Sequence, residues 1–195
     1  MQATIAKEQR QENILLSLKR LGFLSRSQIQ RLHRLGGDRN ANRILNEMSE
    51  YLNTVRLNEK VYYLNSEGRS RVGANKVLKK THQITHHLMR NSLFIACGCP
   101  STWKNEVKLS VKGEVSIISD AVFSMGTFHI VEVDNEQKMN VNKEKISKYR
   151  RLIELGVFEK KPKFLWVTTT EHRKKQLLAL SEGLQVRVHL AKDLL

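Results

Sequence analysis

An apolar hairpin interrupted by carboxylates constrains the fold of this chain more than any other feature. Between Val115 and Asp134 the sequence alternates little and reads as two apolar strands joined by a short turn. Continuous Val, Ile and Phe runs are typical of strands that are covered on both faces. Asp120, Glu132 and Asp134 lie within these strands. A buried carboxylate is costly unless it pairs with a cation, lies at an edge or binds a metal ion, so these acids are the first candidates for a functional site.

The length of the turn decides whether the three acids share one face of the sheet. Glu132 and Asp134 are two residues apart and therefore point to the same face of a strand. Asp120 joins that face only if the loop has an odd number of residues. A three-residue loop at 124–126, with the Gly that this loop type favours at its third position, places Asp120 opposite Ile130 and diagonal to Glu132. A two-residue loop would turn Asp120 to the other face.

The charge of the chain favours a polyanionic partner. Its 195 residues can form one large domain or two small ones, and the net charge is +15 with a pI near 10.0. Residues 1–80 contain 16 basic and 7 acidic residues, and residues 81–195 contain 18 and 12, so the excess is general and strongest toward the N-terminus. Nucleic acid is the simplest partner for such a surface. The alternative is a basic, solvated surface without a ligand.

Cellular location is suggested by what the sequence lacks. No segment approaches the roughly 18 unbroken apolar residues of a membrane span, and the polar N-terminus has no signal-peptide core. Cys97 and Cys99 are too close for an ordinary disulfide and too few for a thiolate zinc site. We expect a cytoplasmic protein that contacts no membrane.

The N-terminal part predicts three helices and a hairpin. Apolar residues at helical spacing occur over 7–20, over 25–35, where Ser25 or Ser27 provides the N-cap, and over 38–52, where Asp38 does so. Two short strands follow at 54–57 and 61–64. This order is that of a winged helix-turn-helix, whose third helix enters the major groove.

The predicted third helix carries polar side chains suited to base edges. Arg pairs with guanine and Asn with adenine through two hydrogen bonds each, whereas cations in the hairpin, the wing, contact phosphates. We expect double-stranded DNA as the partner; ordinary solvated residues, or a winged helix that binds protein, are the alternatives. The predicted DNA-binding residues are Arg39, Asn40, Asn42, Arg43 and Asn46 on the helix, and Arg56 and Lys60 in the wing.

The C-terminal part predicts a layered α/β domain. After a polar connector, apolar periodicity indicates a helix over 81–96, three strands, a helix over 141–155, a strand, a further helix and a last strand. The fold class is therefore α+β with two domains. Residues 1–78 form the winged helix-turn-helix, and residues 79–195 form a domain with an αβββαβ core.

These motifs resemble known families. An αβββαβ core with Asp on the second strand and Glu-x-charged on the third resembles the PD-(D/E)xK nuclease superfamily, which has a restriction-endonuclease-like fold. A winged helix, a linker helix with His86 and His87, then DAVF, IVEVDNEQ and KISKYRRL are together similar to the replication-relaxation family of plasmids and mobile elements in Gram-positive bacteria. That resemblance implies a bacterial DNA-binding protein, associated with the nucleoid or a plasmid, that acts in replication initiation and DNA relaxation.

This chain matches the nuclease motif only in part. Asp120 matches the first acid, although Ser119 replaces the usual Pro, and Glu132 matches the second. In an active member these two acids would hold Mg²⁺. Asp134 stands where the motif has Lys and cannot supply its positive charge. The resemblance allows a migrated Lys, and Lys145 and Lys148 are the candidates on the following helix.

The sequence leaves several functions open. Without the motif Lys, we expect a non-catalytic DNA-binding protein, with no cofactor, that assists replication or relaxation or regulates transcription. The alternative is a Mg²⁺-dependent endonuclease or nickase that uses Asp120, Glu132, Asp134 and Lys145, with Glu106 as a further acid. The acids could instead be paired structural charges. A third function is an adaptor for replication or relaxation proteins, and a homodimer that reads two half-sites stays open.

Overall fold

The computed structural model describes residues 2–81 and 83–194 and contains helices and two β-sheets. The fold is therefore mixed α+β, as the sequence predicts. The chain divides into two compact units, one ending at Asn91 and the other beginning at Ser92.

Three helices open the first unit. Ser25 caps α2 and forms a capping box with Gln28, which confirms one of the two predicted caps. The prediction for the third helix is wrong at both ends, because Gly37 is its N-cap and the chain leaves the helix after Glu47 to form a turn. The elements are α1 (Gln2–Leu21), β1 (Leu24–Ser25), α2 (Arg26–Leu32) and α3 (Asp38–Glu47).

A three-stranded antiparallel sheet completes this unit, with β3 between β1 and β2. The β2–β3 hairpin pairs Arg56 with Lys60 next to its turn. Val55 and Val61 are buried and pack with Phe23 and Ile84, so the hairpin packs on the core of this unit through its apolar side chains. The elements are β2 (Leu52–Arg56), β3 (Lys60–Leu64) and α4 (Ser66–Val72).

Helix α5 (Ile84–Ala96) begins in the first unit and ends in the second. Ile84 packs with Phe23 in the core of the first unit, and the Asn91 side chain donates to the carbonyl oxygens of Leu21 and Phe23 at 3.1 and 2.7 Å. The division between the units therefore lies inside α5, later than the sequence-based boundary at 78/79. His82, in the predicted helix, lies outside the described residues.

The second unit is built on a five-stranded sheet in the order β4-β5-β6-β7-β8. The first three strands are antiparallel, and β6, β7 and β8 run parallel. The order of helices and strands is the predicted one. The elements are β4 (Lys104–Val111), β5 (Val115–Ser124), β6 (Phe128–Asp134), α6 (Met139–Glu154), β7 (Lys163–Thr168), α7 (Glu171–Leu180), β8 (Gln185–Leu190) and a final 3₁₀ turn (Ala191–Asp193).

The core of the second unit lies on one face of this sheet. Helices α6 and α7 supply Ile146, Tyr149 and Leu177 to it, and β6 and β7 supply Ile130 and Trp166. All five are at most 3% exposed. Residues of even number on β6 face this core, and those of odd number face the opposite side of the sheet, because side chains alternate along a strand. Glu132 therefore points toward α6.

Gly68 fixes the position of α4 in the first unit. A Cβ atom at this position would lie 2.2 Å from the carbonyl oxygen of Tyr51, a distance at which the backbone has to shift. The helix is also held by its N-cap Asn65, whose side chain accepts from the Gly68 N–H at 2.9 Å. Only glycine allows the close approach.

We expect Gly68→Ala to destabilise the first unit by about 1–3 kcal/mol, the usual cost of overpacking a closed site. Urea unfolding followed by far-ultraviolet circular dichroism measures the change as a lower midpoint. Ser70→Ala, at an exposed position of the same helix, is the matched control and should leave the midpoint unchanged. Equal midpoints for Gly68→Ala and the control would contradict the packing described.

Candidate functional site

The β5–β6 hairpin brings two of the predicted acids face to face. Its loop has three residues, because Ser124 pairs with Phe128, so the odd loop that the sequence analysis requires is confirmed. The loop is 125–127 and not 124–126, which shifts the partner of each β5 residue by two residues along β6. Ala121 pairs with Val131, and the next position places Asp120 directly across from Glu132. The predicted position opposite Ile130 is wrong, and the true one brings the acids closer together.

Glu132 is the centre of a buried cluster. Its side chain is fully buried, and both carboxylate oxygens accept hydrogen bonds, one from the Lys145 ammonium and the other from the Tyr149 hydroxyl. Asp120 completes the cluster. Its Oδ2 lies 3.9 Å from Lys145 Nζ and accepts from the backbone N–H of Val133 at 2.7 Å. We call Asp120, Glu132, Lys145 and Tyr149 the acid–lysine cluster.

Helix α6 delivers the two donors together. Lys145 and Tyr149 are four residues apart, so they lie on one face of the helix, and Ile146 and Leu152 on the neighbouring stripe are buried in the core. The packing of α6 on the sheet thus sets the position of the Lys145 ammonium. The predicted migrated Lys does reach both Asp120 and Glu132.

Burial dominates the electrostatics of the acid–lysine cluster. The pKa of Glu132 is raised to about 8, because burial and the neighbouring charge of Asp120 outweigh the attraction of Lys145 and the hydrogen bond from Tyr149. Burial by itself lowers the pKa of Lys145, but the charges of Glu132 and Asp120 raise it overall. The pKa of Tyr149 is raised by burial and by the charge of Glu132. Lys145 therefore stays charged near neutral pH, and Glu132 is the group that takes up a proton as the pH falls.

Asp134, the third predicted acid, belongs to a different network. Its fully buried carboxylate accepts from Arg173 Nε and Nη2 at 2.7 and 2.6 Å, a two-pronged ion pair. Thr168 Oγ1 and Asn142 Nδ2 donate to it at 2.7 and 2.8 Å. Arg173 also donates to the carbonyl oxygen of Gln137 at 2.5 Å. Asp134 thus ties the ends of β6 and β7 to α6 and α7.

These contacts explain why an acid fits at position 134. Burial raises the pKa of Asp134, but the hydrogen bonds from Arg173, Asn142 and Thr168 outweigh that effect and lower it. The carboxylate is therefore ionised and fully engaged at neutral pH. Its contacts are those of a structural ion pair.

The donor atoms as they stand do not fit a divalent cation. A metal ion would need oxygens of Asp120 and Glu132, and both oxygens of Glu132 already accept from Lys145 and Tyr149. In the described part of the chain, no group of three or more His, Cys, Asp or Glu side chains is arranged to hold a metal ion. Glu106, the further candidate acid, is exposed on β4 at the register position beside Asp120.

The predicted DNA-binding residues of α3 share one exposed surface. Ala41, Ile44 and Leu45 on the other side of the helix are buried. Two of the exposed residues already have partners, because Arg43 bonds Glu47 at 2.5 Å and Asn40 at 2.9 Å, and Asn40 Nδ2 donates to the Leu35 carbonyl at 2.7 Å. The exposed residues are Arg39, Asn40, Asn42, Arg43 and Asn46 on α3, with Arg56 and Lys60 in the hairpin.

The tip of the β2–β3 hairpin is anchored to α2. Glu59 accepts from the backbone N–H and the hydroxyl of Ser27 at 2.9 and 2.5 Å, and Arg26 lies 3.5 Å from the same carboxylate. Arg26 also pairs with Asp38 at the start of α3, at 2.5 Å. This chain of contacts holds the hairpin in a fixed position beside α2 and α3.

Sequence reasoning missed the side chains that bond these acids besides Lys145, which are Tyr149, Asn142, Thr168 and Arg173. Tyr149 stands four residues after Lys145 and the helical spacing could have revealed it. Arg173 lies 39 residues from Asp134 in sequence, and no local pattern links the two.

The raised pKa of Glu132 predicts a specific pH dependence of stability. The folded-state pKa of about 8 lies above the value near 4.3 of an unfolded chain, so the folded state binds more protons between these values and its stability falls as the pH rises through this window. We expect the stability of the natural protein relative to Glu132→Gln to decrease from about pH 5 to about pH 8. Urea unfolding, followed by the fluorescence of the buried Trp103 and Trp166, measures the free energy of unfolding of both proteins at each pH.

The Glu132→Gln variant is the reference for the natural protein, because it lacks the titrating group but keeps the shape of the side chain. Parallel stability curves for the two proteins over that pH range would show that Glu132 does not titrate there.

The Asp134–Arg173 ion pair predicts a large loss of stability on truncation. We expect Arg173→Ala to lower the free energy of unfolding by about 2–4 kcal/mol, because it leaves a buried carboxylate without its cation. Arg151→Ala is the matched control. It removes an exposed pair with Glu114, in which both side chains are 46% exposed, and should cost less than about 1 kcal/mol. Equal costs in urea unfolding would refute the structural role of the buried pair.

Comparison with known proteins places the chain in a family. In the range 2–81 and 83–194, no helix is both long and apolar enough to cross a membrane. No curated protein matches the sequence. Among solved structures, protein VC1899 from Vibrio cholerae is similar at 14% identity and a TM-score of 0.41 over 94% of this chain and 48% of that one. The chain thus spans about half the length of that protein. A family model described as Replication-relaxation matches residues 15–168, and the chain belongs to the replication-relaxation family.

Proposed function

We propose that this chain is a DNA-binding protein of a plasmid, phage or integrated element, where it assists replication initiation or DNA relaxation or regulates transcription. Family membership supports a role in replication or relaxation. The observation that carries the DNA-binding part is the exposed polar surface of α3, which is backed by a buried apolar side. The net charge of +15 supports a polyanionic partner.

The first unit is a winged helix-turn-helix in this proposal, with α3 as the recognition helix. Arg39, Asn42 and Asn46 are exposed along α3 and offer bidentate partners for guanine and adenine in the major groove. Arg43 and Asn40 bond each other, so they hold the surface in shape and contact phosphate more readily than base edges.

The β2–β3 hairpin is the wing. Arg56 and Lys60 face each other next to its turn and are exposed, which suits contacts to the phosphate backbone. Glu59 ties the turn to Ser27. The wing is therefore preorganised, and binding costs less ordering of the backbone.

The second unit is a PD-(D/E)xK-like domain without nuclease activity in this proposal. Lys145 and Tyr149 engage both oxygens of Glu132, and Asp134 is used in an ion pair with Arg173. The acids thus stabilise the unit instead of binding a cation. Replication or relaxation proteins are further proposed partners, and the protein is proposed to act in the bacterial cytoplasm as part of a nucleoid or plasmid complex.

We expect Arg39→Ala to weaken binding of the full chain to its DNA site by about 1–3 kcal/mol, the usual cost of a bidentate base contact. Arg56→Ala should weaken binding to all duplexes alike and reduce the slope of log K against log salt by about 1. Fluorescence anisotropy with labelled duplexes at several salt concentrations measures both effects.

Lys175→Ala, an exposed cation on α7, is the control with the same loss of charge. If Arg39→Ala and Arg56→Ala bind duplex DNA as well as this control does, α3 and the wing do not contact DNA. An adaptor function toward proteins would then fit better.

A second candidate function is metal-dependent DNA cleavage, and one observation favours it. The Lys145 ammonium bonds Glu132 and lies 3.9 Å from Asp120, so a cation stands beside both acids as in nucleases with a migrated Lys. Cleavage would require Glu132 to release Lys145 and Tyr149.

We expect the purified chain to leave supercoiled plasmid intact in Mg²⁺ or Mn²⁺ under conditions in which it binds DNA, because the oxygens of Glu132 are engaged. Agarose gels of the plasmid measure nicking. Nicking that disappears in both Asp120→Asn and Glu132→Gln would establish the second function and refute the first account of this unit. Nicking that persists in both variants indicates a contaminating nuclease.

A further inference from the structure

The face of the five-stranded sheet opposite α6 and α7 contains an open cleft. Its floor is formed by β6, β7 and β8, and the end of α5 forms one wall with Leu93, Ala96 and Cys97. Its volume of about 570 Å³ lies within the range of sites that hold small ligands or segments of larger ones. We call it the β6–β8 cleft. It lies on the other side of the sheet from the acid–lysine cluster, since odd-numbered residues of β6 face it.

The register of the sheet lines up rings and polar groups across this floor. Phe123 pairs with His129, His129 with Lys163, and Lys163 with Gln185, so these four side chains form one row across four strands. In the next row Arg187 stands beside Leu165. Lys163 and Arg187 are therefore diagonal neighbours on adjacent strands. The row changes from aromatic to cationic at His129.

The side chains that line the β6–β8 cleft have a net positive charge. No carboxylate lines it. Within the described residues, the side chains of Lys163 and Arg187 form no ion pair or hydrogen bond, whereas Arg173 and Lys145 in the same unit are paired with buried acids. Two adjacent cations without an acid repel each other, and an anionic ligand would remove that cost.

The histidines of the cleft reflect this environment. The pKa of His129 is lowered by burial and by the charge of Lys163, which outweigh the hydrogen bond to the Thr127 carbonyl oxygen. The pKa of His189 is lowered by burial and by the charges of Arg187 and Lys174, which outweigh the opposite effect of the charge of Asp193. Both rings are therefore neutral near pH 7. A neutral imidazole provides a flat surface and a hydrogen-bonding nitrogen without further repulsion.

A stack of aromatic rings leads into the cleft. Trp103 stacks on Phe123 with ring centroids 5.3 Å apart, and Phe123 stacks on His129 at 4.5 Å with an angle of 10° between the planes. His129 is the last ring of this series and is partly exposed. Met125, which is 62% exposed, lies at the edge of the cleft and adds apolar surface.

We propose that the β6–β8 cleft binds a single-stranded segment of nucleic acid, with phosphates at Lys163 and Arg187 and an unpaired base against His129 and Met125. The inference rests on the proposed DNA-binding function and adds a second site with a different substrate. Cations beside a stacked ring are the combination that binds single strands. The bases of a duplex are stacked on each other, so a duplex would contact only Lys163 and Arg187. An acidic peptide would also contact these cations but has no base to stack on the His129 ring.

The test compares two variants of the full chain with equal loss of charge. Lys163→Glu with Arg187→Glu changes the cleft, and Lys143→Glu with Lys175→Glu changes exposed lysines on α6 and α7. Binding of a labelled oligothymidine is measured by fluorescence anisotropy at several salt concentrations. The cleft variant should bind about tenfold more weakly than the control, and its slope of log K against log salt should be lower by about 1.4, since each phosphate contact to a single strand contributes about 0.7.

Further arms separate this site from α3 and from other ligands. Both double variants should bind duplex DNA equally, and Arg39→Ala should weaken duplex binding while it leaves oligothymidine binding unchanged. His129→Ala should weaken oligothymidine binding about tenfold, because it removes the stacking surface, with Thr127→Ala in the adjacent loop as its control. Far-ultraviolet circular dichroism verifies that each variant is folded, and the neutral pair Lys163→Gln with Arg187→Gln replaces the reversal if it is not.

Three results would overturn the proposal. One is equal loss of oligothymidine binding in the cleft variant and its charge-matched control. Another is full binding by His129→Ala, which would remove the base from the site. The third is a polyglutamate peptide that competes as well as the oligonucleotide does, which would identify an acidic protein segment as the ligand. A loss of duplex binding by Arg39→Ala is measured independently, so the two proposals fail separately.

Discussion

The contact between the Lys145 ammonium and the buried carboxylate of Glu132 is the constraint on which the second unit depends. Glu132 is fully buried in the middle of a sheet, and a buried carboxyl group without hydrogen-bond partners is costly. Lys145 can reach it only if α6 packs on the sheet through Ile146 and its neighbours. Lys145 bonds one oxygen of Glu132 and Tyr149 bonds the other, and these are oxygens that a metal ion would need. The packing of α6 on the sheet therefore determines which groups bond Glu132. Those bonds in turn determine whether its oxygens are open to a metal ion, on which the proposed lack of catalysis depends.

Several elements could be predicted from the sequence because their causes are local. The spacing of two places Glu132 and Asp134 on one face, and the requirement for an odd loop brings Asp120 to the same side. The predicted register was wrong by two residues along β6, since Gly126 allows a positive φ in the middle of the loop as well as at its end. The role of Asp134 could not be predicted. Its partner Arg173 is distant in sequence, and only the parallel arrangement of β6 and β7 brings α7 to it.

The two units carry different kinds of polar groups. In the first, an apolar side fixes α3 and leaves a polar surface exposed, an arrangement suited to reading a duplex. In the second, the acids have buried partners, and the cations Lys163 and Arg187 face the opposite side of the sheet from the acid–lysine cluster. In the two proposals together, a duplex binds the first unit and a separated strand binds the second. Both substrates are present where a duplex opens.

The direct measurement of the central claim is a calorimetric titration of Mn²⁺ into the full chain at neutral pH. If Lys145 and Tyr149 hold the oxygens of Glu132 as the structure describes, no stoichiometric binding should occur, and Asp120→Asn should give the same trace. A single Mn²⁺ site in the natural protein that is lost in Asp120→Asn would contradict this account.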